Sequence, residues 1–153
     1  MGRASVGARL ALRAGADAVH VVEVASRDAA ALRATGARLC AHGPTALVVV
    51  GSGSARHGPD APLADDPAAG PLDAALASAL TGAGRGARDV LADLDPAHAQ
   101  ELAVSGWGPW QVLVGALDAS GGVPRVDGGA HADVRYGAAH GAACWRVAAG
   151  EDA

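Results

Sequence analysis

"ALVVVGSGSARHGPDAP", residues 46–62, joins an apolar, β-branched run to a turn of small residues. An arginine, a histidine and a proline-broken loop follow. Val48, Val49 and Val50 suit a strand buried on both faces, because no polar residue alternates with them. A similar run, "AVHVVEV", lies upstream at 18–24. Between the two, "SRDAAALRATGARLCAHG" (26–43) has helical spacing, with Ser26 placed to cap it and Leu32, Leu39 and Cys40 near one face. Strand, helix and strand with a crossover of this length predict a βαβ unit and parallel pairing. The expected fold class is therefore α/β: three layers, a mostly parallel central sheet flanked by helices.

The rest of the chain supplies further elements. "SVGARLALRAG" (5–15) suits a short helix closed by Gly15. A loop over 51–71 carries Pro59, Pro62, Pro67 and Pro71, and loops of this length are often functional. "LDAALASALTG" (72–82) is helical. "ARDVLADLDPAHAQELAVSG" (87–106) holds one or two helices, and Asp95-Pro96 reads as an N-cap followed by proline at the first helical position. "WGPWQVLVGALDA" (107–119) is a helix with Trp110, Leu113, Val114 and Leu117 at helical spacing. "SGGVPRVDGGAHAD" (120–133) reads as a glycine-rich turn region. "ADVRYGA" (132–138) and "AACWRVA" (142–148) read as strands joined at "AHG". One domain over 1–150 with a tail at 151–153 is expected, since 153 residues suffice for a single core.

Composition narrows the function classes. Half of the residues are hydrophobic, but there is no phenylalanine, so the core depends on Val, Leu and three tryptophans. The net charge is −4 and the arginines are scattered, which argues against a nucleic-acid binder. No apolar stretch is long enough for a transmembrane helix, and Arg9 and Arg13 interrupt any signal-like segment. Cys40 and Cys144 are expected to be two reduced, buried thiols of a cytoplasmic protein.

In an open parallel sheet, ligands sit at the carboxyl ends of the strands, where "GSGSARH" would lie. Gly51 and Gly53 allow close backbone approach. Ser52, Ser54 and Arg56 supply polar groups, and His57 can act as acid or base near neutral pH. The plainer reading is a surface turn with a solvated histidine. A dinucleotide loop is disfavoured because Arg56 stands at the third glycine position; a nucleophile elbow is disfavoured because Gly53 stands at its centre. Among the six histidines there is no HxH or HxxxH pair. His98 and Glu101 share a helix face, as a metal pair or a solvated contact. The tryptophans read as packing. The paired acids Asp65-Asp66 and Asp93/Asp95 read as solvated.

Taken in order and spacing, four blocks resemble a known family: "ALVVVGSGSARHGPDAP", "PLDAALASALTGA", "LADLDPAHAQELAVSGWGPWQVLVGAL" and "VRYGAAHGAACWRVA". They resemble the C-terminal half of the class III extradiol ring-cleavage dioxygenase family, in its actinobacterial form, over roughly residues 5–148. The resemblance implies a non-haem Fe(II) enzyme that opens catechol-type rings with O₂, its iron held by two histidines and a glutamate. It implies an acid–base role for His57; beside it, Ser52, Gly53, Ser54 and Arg56 of the same loop are the expected substrate-binding residues. The family's iron histidines belong to the half preceding these blocks, and its glutamate falls here on Ser105 or Gly106. Glu101, one helical turn earlier, is the nearest candidate ligand. What is expected is a truncated dioxygenase-like chain, incomplete relative to the family and inactive in isolation, with Fe(II) by resemblance or no cofactor. The alternative is a non-catalytic subunit or a small-molecule binding module of the same fold. An aromatic small molecule is the expected ligand. An incomplete sheet leaves an apolar edge, so self-association or a partner chain is expected too.

Overall fold

Asp28 starts the first helix. In the computed structural model, which describes residues 21–41, 43 and 45–147, helix α1 spans Ala29–Leu39. Asp28 Oδ1 accepts the N–H groups of Ala30 and Ala31 at 2.9 and 3.2 Å, satisfying donors that have no partner within the helix. Ser26, the expected cap, instead accepts the Asp28 N–H at 3.1 Å. Helix α2 (Ala69–Gly82) starts three residues before the predicted position 72, after Asp66 Oδ1 has taken the Ala68 N–H at 2.9 Å. Helix α3 (Gly84–Asp93) follows a break at Ala83, whose φ is +52°. Asp95 Oδ1 accepts the His98 N–H at 2.7 Å and Pro96 opens helix α4 (Pro96–Glu101), as the Asp95-Pro96 pair predicts. Helix α5 (Trp107–Ser120) ends at Gly121 in the left-handed region.

Helix α5 is the centre of the core. Trp107, Trp110, Gln111, Val112, Val114, Ala116 and Leu117 are all buried, so it is covered nearly all round. Leu32 of α1, Leu76 of α2, Leu91 of α3, and Leu94, Leu102 and Val104 pack in the same cluster. The tryptophans do what packing requires and also find partners: Trp107 Nε1 donates to Leu94 O at 2.8 Å and Trp145 Nε1 to Leu80 O at 2.9 Å. Buried Gln111 is satisfied at both ends, by Arg33 Nε at 2.9 Å and by Leu91 O at 2.8 Å.

Among the described residues the expected three-layer, mostly parallel sheet does not form. The described residues hold five helices and one two-stranded antiparallel sheet, an α+β arrangement. Residues 21–24 and 46–50 adopt no strand; the remainder of the first predicted strand, and the predicted helix 5–15, lie outside the described residues. Val21, Val22 and Val48 are 56%, 46% and 43% exposed rather than buried. The reason lies in where α1 goes. It packs along α5, backbone to backbone, instead of covering a sheet. β propensity measures fit to a pleated, half-buried surface, and no such surface is offered to these two runs.

The sheet is a hairpin of β1 (Pro124–Arg135) and β2 (Ala138–Val147). Its turn is Tyr136-Gly137, both at positive φ, and not the predicted "AHG". The glycine-rich run expected to be a turn region mostly forms β1, because a bulge between Val126 and Ala130, with Gly128 at φ +95°, lets the ladder resume. Ala130, Ala132, Ala139, Trp145 and Val147 face inward, while His131, Asp133, Arg135, His140 and Cys144 are exposed. Both cysteines are free, as expected, but Cys40 is half-buried and Cys144 exposed rather than both buried.

An ion pair ties α3 to α5. Arg88 Nε and Nη2 donate to Asp118 Oδ1 and Oδ2 at 2.8 and 2.9 Å. This hydrogen bonding holds the Asp118 carboxyl below its ordinary 3.8 and pushes the guanidinium further up. A depressed carboxylate pKa contributes stability above the unfolded value, and that contribution is lost as pH falls through the folded one. The pair is largely solvated, so its worth is at most about 0.5–1 kcal/mol. Asp118→Asn is therefore expected to be slightly less stable in urea at pH 7, with the difference fading below pH 3.8 and in high salt. A difference that persisted under both conditions would place the effect elsewhere.

Candidate functional site

The segment after the second predicted strand is held on both sides by backbone hydrogen bonds. Toward the hairpin, the Gly53 N–H donates to Ala139 O at 3.2 Å, the Ala139 N–H to Ser54 O at 2.8 Å, and the His57 N–H to Gly137 O at 3.0 Å. Toward the α4–α5 connection, the Gly106 N–H donates to Ser52 O at 3.0 Å and the Ala55 N–H to Leu102 O at 3.3 Å. The following loop folds back, with the Leu63 N–H on Ala55 O and the Asp66 N–H on Arg56 O. Asp65 Oδ1 takes the Gly58 N–H. Asp65 is exposed, as read from the sequence, and its carboxylate also pins the loop; Asp66 is half-buried and pins it through its backbone N–H.

His57 lies against a buried carboxylate. Its Nε2 is 2.6 Å from Asp73 Oδ2, and the two side chains are 18% and 6% exposed. Asp73 is anchored in turn by the Ser54 N–H, at 3.0 Å to Oδ1 and 3.2 Å to Oδ2. A carboxylate can only accept, so this contact puts the Nε2 proton on the ring and leaves Nδ1 as the lone pair of the neutral form. Among the described residues no group is hydrogen-bonded to Nδ1. A histidine oriented at one nitrogen and unbonded at the other is the arrangement general acid–base chemistry uses.

The other expected site residues have different positions. Ser54 is fully buried, its Oγ accepting the Arg56 N–H at 3.2 Å, so it shapes the loop from inside. Ser52 is half-buried, its Oγ 2.8 Å from Ser105 Oγ. Gly53 is needed where it stands, since a Cβ there would lie 2.3 Å from Asp73 Oδ1. Arg56 donates from Nη1 to Ala64 O at 3.0 Å, while its Nε is buried without a partner among the described residues. Glu101 is three-quarters exposed at the end of α4, 3.8 Å from His98 Nδ1. Among the described residues no three His, Cys, Asp or Glu side chains are grouped to hold a metal. The residues described thus do not fit an iron facial triad. A cleft of about 360 Å³ lies elsewhere, between Val24–Arg27 and the start of α5, and no residue from 51 to 57 lines it.

Asp73, the partner of His57, is the residue of this site that does not stand out in the sequence. The sequence does carry a signal for it: in "AGPLDAALASA" the buried stripe of α2 is Ala69, Asp73, Leu76 and Ala79, an acid at a core position. A carboxylate on an apolar stripe needs a buried partner, and the histidine loop just upstream supplies one.

No protein-family model, curated protein or solved structure matches the chain. No helix among the described residues is long and apolar enough to cross a membrane.

Proposed function

We propose that this chain carries an acid–base site for a small aromatic molecule, with His57 as the proton-transferring group and Asp73 as its positioning residue. The observation that carries this reading is the 2.6 Å His57–Asp73 contact, with the carboxylate buried and the imidazole Nδ1 without a hydrogen-bond partner among the described residues. The sequence resemblance supports it, because the histidine after the Gly-Ser-Gly turn is the acid–base residue of class III extradiol dioxygenases. On this reading the chain is one wall of a dioxygenase-like site. The iron-binding wall comes from another chain or segment, and the isolated chain does not open rings. Pairing with that partner, or with a second copy, is supported by the exposed Val21, Val22 and Val48. The free cysteines suit a cytoplasmic setting.

The test is titration of 3,4-dihydroxybenzoate into the ¹⁵N-labelled chain, following the imidazole resonances. The His57 signals are expected to shift, and His57→Ala to weaken binding by about tenfold or more. A chain that does not bind the probe, or binds it equally well as His57→Ala, sinks the reading. Ring opening measured after anaerobic Fe(II) loading and admission of O₂ is expected to be absent for the isolated chain.

A further inference from the structure

The chain has four aromatic side chains beyond its histidines, three tryptophans and Tyr136. Trp107 and Trp110 are buried, and Trp145 packs on the core with its Nε1 satisfied. Tyr136 is 89% exposed and so gains almost nothing from packing. It also sits in an unfavourable conformation. At φ +53° it is the first of two central residues in the hairpin turn, where the left-handed backbone strongly favours Asn, Asp or Gly. A bulky aromatic residue there costs stability, and no contact within the described residues offsets it.

The position of the turn is fixed although the ring is free. The Gly137 carbonyl accepts the His57 N–H at 3.0 Å, and the Gly137 Cα lies so close to the His57 loop that a Cβ there would be 2.2 Å from Ala61 Cα. The turn is therefore clamped to the loop that carries His57. Tyr136 is the residue before that clamp, so its backbone adjoins the loop that carries His57. An exposed aromatic residue at a strained position, on the turn clamped to the histidine loop, is free to contact a ligand at that loop.

We infer that Tyr136 is the stacking residue of the His57 site: its ring covers one face of a planar aromatic ligand whose ionisable hydroxyl meets His57. This rests on the acid–base reading of His57 and adds to it the residue that selects a flat ring. Stacking needs the ring and not the phenolic hydroxyl, so Tyr136→Phe is expected to bind 3,4-dihydroxybenzoate within about twofold of the native chain. Tyr136→Asn removes the ring and creates the Asn-Gly pair that this turn prefers. It is expected to weaken probe binding about five- to tenfold while raising Tm by roughly 2–5 °C. A purely structural tyrosine would not show gain in one measurement and loss in the other.

The outcomes separate the two claims. If His57→Ala weakens binding and Tyr136→Asn does not, the stacking role is wrong and the acid–base reading stands. If Tyr136→Asn lowers Tm, the residue is structural and the inference falls. If the native chain does not bind the probe, both claims fall. Cyclohexanecarboxylate is the control ligand. Binding as tight as that of the aromatic probe overturns ring stacking.

Discussion

Gly115→Ala is expected to destabilise the chain by about 3 kcal/mol or more, out of the roughly 5–15 kcal/mol that a domain of this kind possesses. A Cβ at Gly115 would lie 1.9 Å from the carbonyl oxygen of Arg33, and a Cβ at Gly36 would lie 1.9 Å from that of Val112. Two glycines on facing helices thus each receive the other helix's backbone. Neither clash is relieved by turning a side chain, so α1 must move away from α5. That movement stretches the Arg33 hydrogen bonds to Gln111 Oε1 at 2.9 Å and Ala92 O at 2.7 Å. Alanine's better helix propensity returns only about 1 kcal/mol. Gly86→Ala is the internal control: it lies in α3 with nothing within 4 Å of its Cβ position, and it is expected to gain about 0.5–1 kcal/mol. Urea unfolding of both variants checks the sign as well as the size. Equal stabilities for Gly115→Ala and the native chain would refute the α1–α5 contact.

Asp73→Ala has the second largest expected effect, about 2–4 kcal/mol. It removes the acceptor of the buried Ser54 N–H and the partner of His57 Nε2 in one step. It also empties the space that Gly53 leaves for the carboxylate, since Oδ1 lies 2.3 Å from a Cβ placed there. Asp73→Asn keeps an acceptor oxygen for Ser54 and is expected to lose only about half as much. Gly53→Ala clashes with Asp73 Oδ1 at 2.3 Å and with Ala139 Cβ at 2.8 Å; alongside Asp73→Ala the closer clash is gone, and the substitution is expected to be better tolerated though still not free. The two substitutions should therefore be strongly non-additive in urea unfolding. Additive losses would place Asp73 away from the 53–57 segment. Probe binding by Asp73→Asn reads the other role: if the carboxylate orients the imidazole, affinity falls although the fold survives.

The helices are legible in the sequence because their signals are local. Asp95-Pro96 marks the start of α4, and the spacing of Trp110, Leu113, Val114 and Leu117 marks α5. The start of α1 is harder to read, since serine and aspartate both accept from backbone N–H groups and Asp28 lies nearer the helix than Ser26. His57 stands out as the titratable group of its loop. Its partner Asp73 does not, although an acid on the buried stripe of α2 announces it. Ser54 runs the other way. A serine just after the Gly-Ser-Gly turn reads as an exposed donor, and here it is the most enclosed residue of the loop.

Local chemistry, then, settles which segments are helices, where aspartates and proline begin them, and which loop carries the histidine. It does not settle whether a β-branched run becomes a strand, because a strand exists only with a partner to share its hydrogen bonds. "AVHVVEV" and "ALVVV" carry the same side chains with or without one. The tertiary structure decided against the described parts of these runs, residues 21–24 and 46–50, at Gly36 and Gly115, where two missing side chains let α1 lie on the backbone of α5. It also brought Asp73 to His57, sixteen residues and one loop apart, by clamping that loop against the hairpin turn.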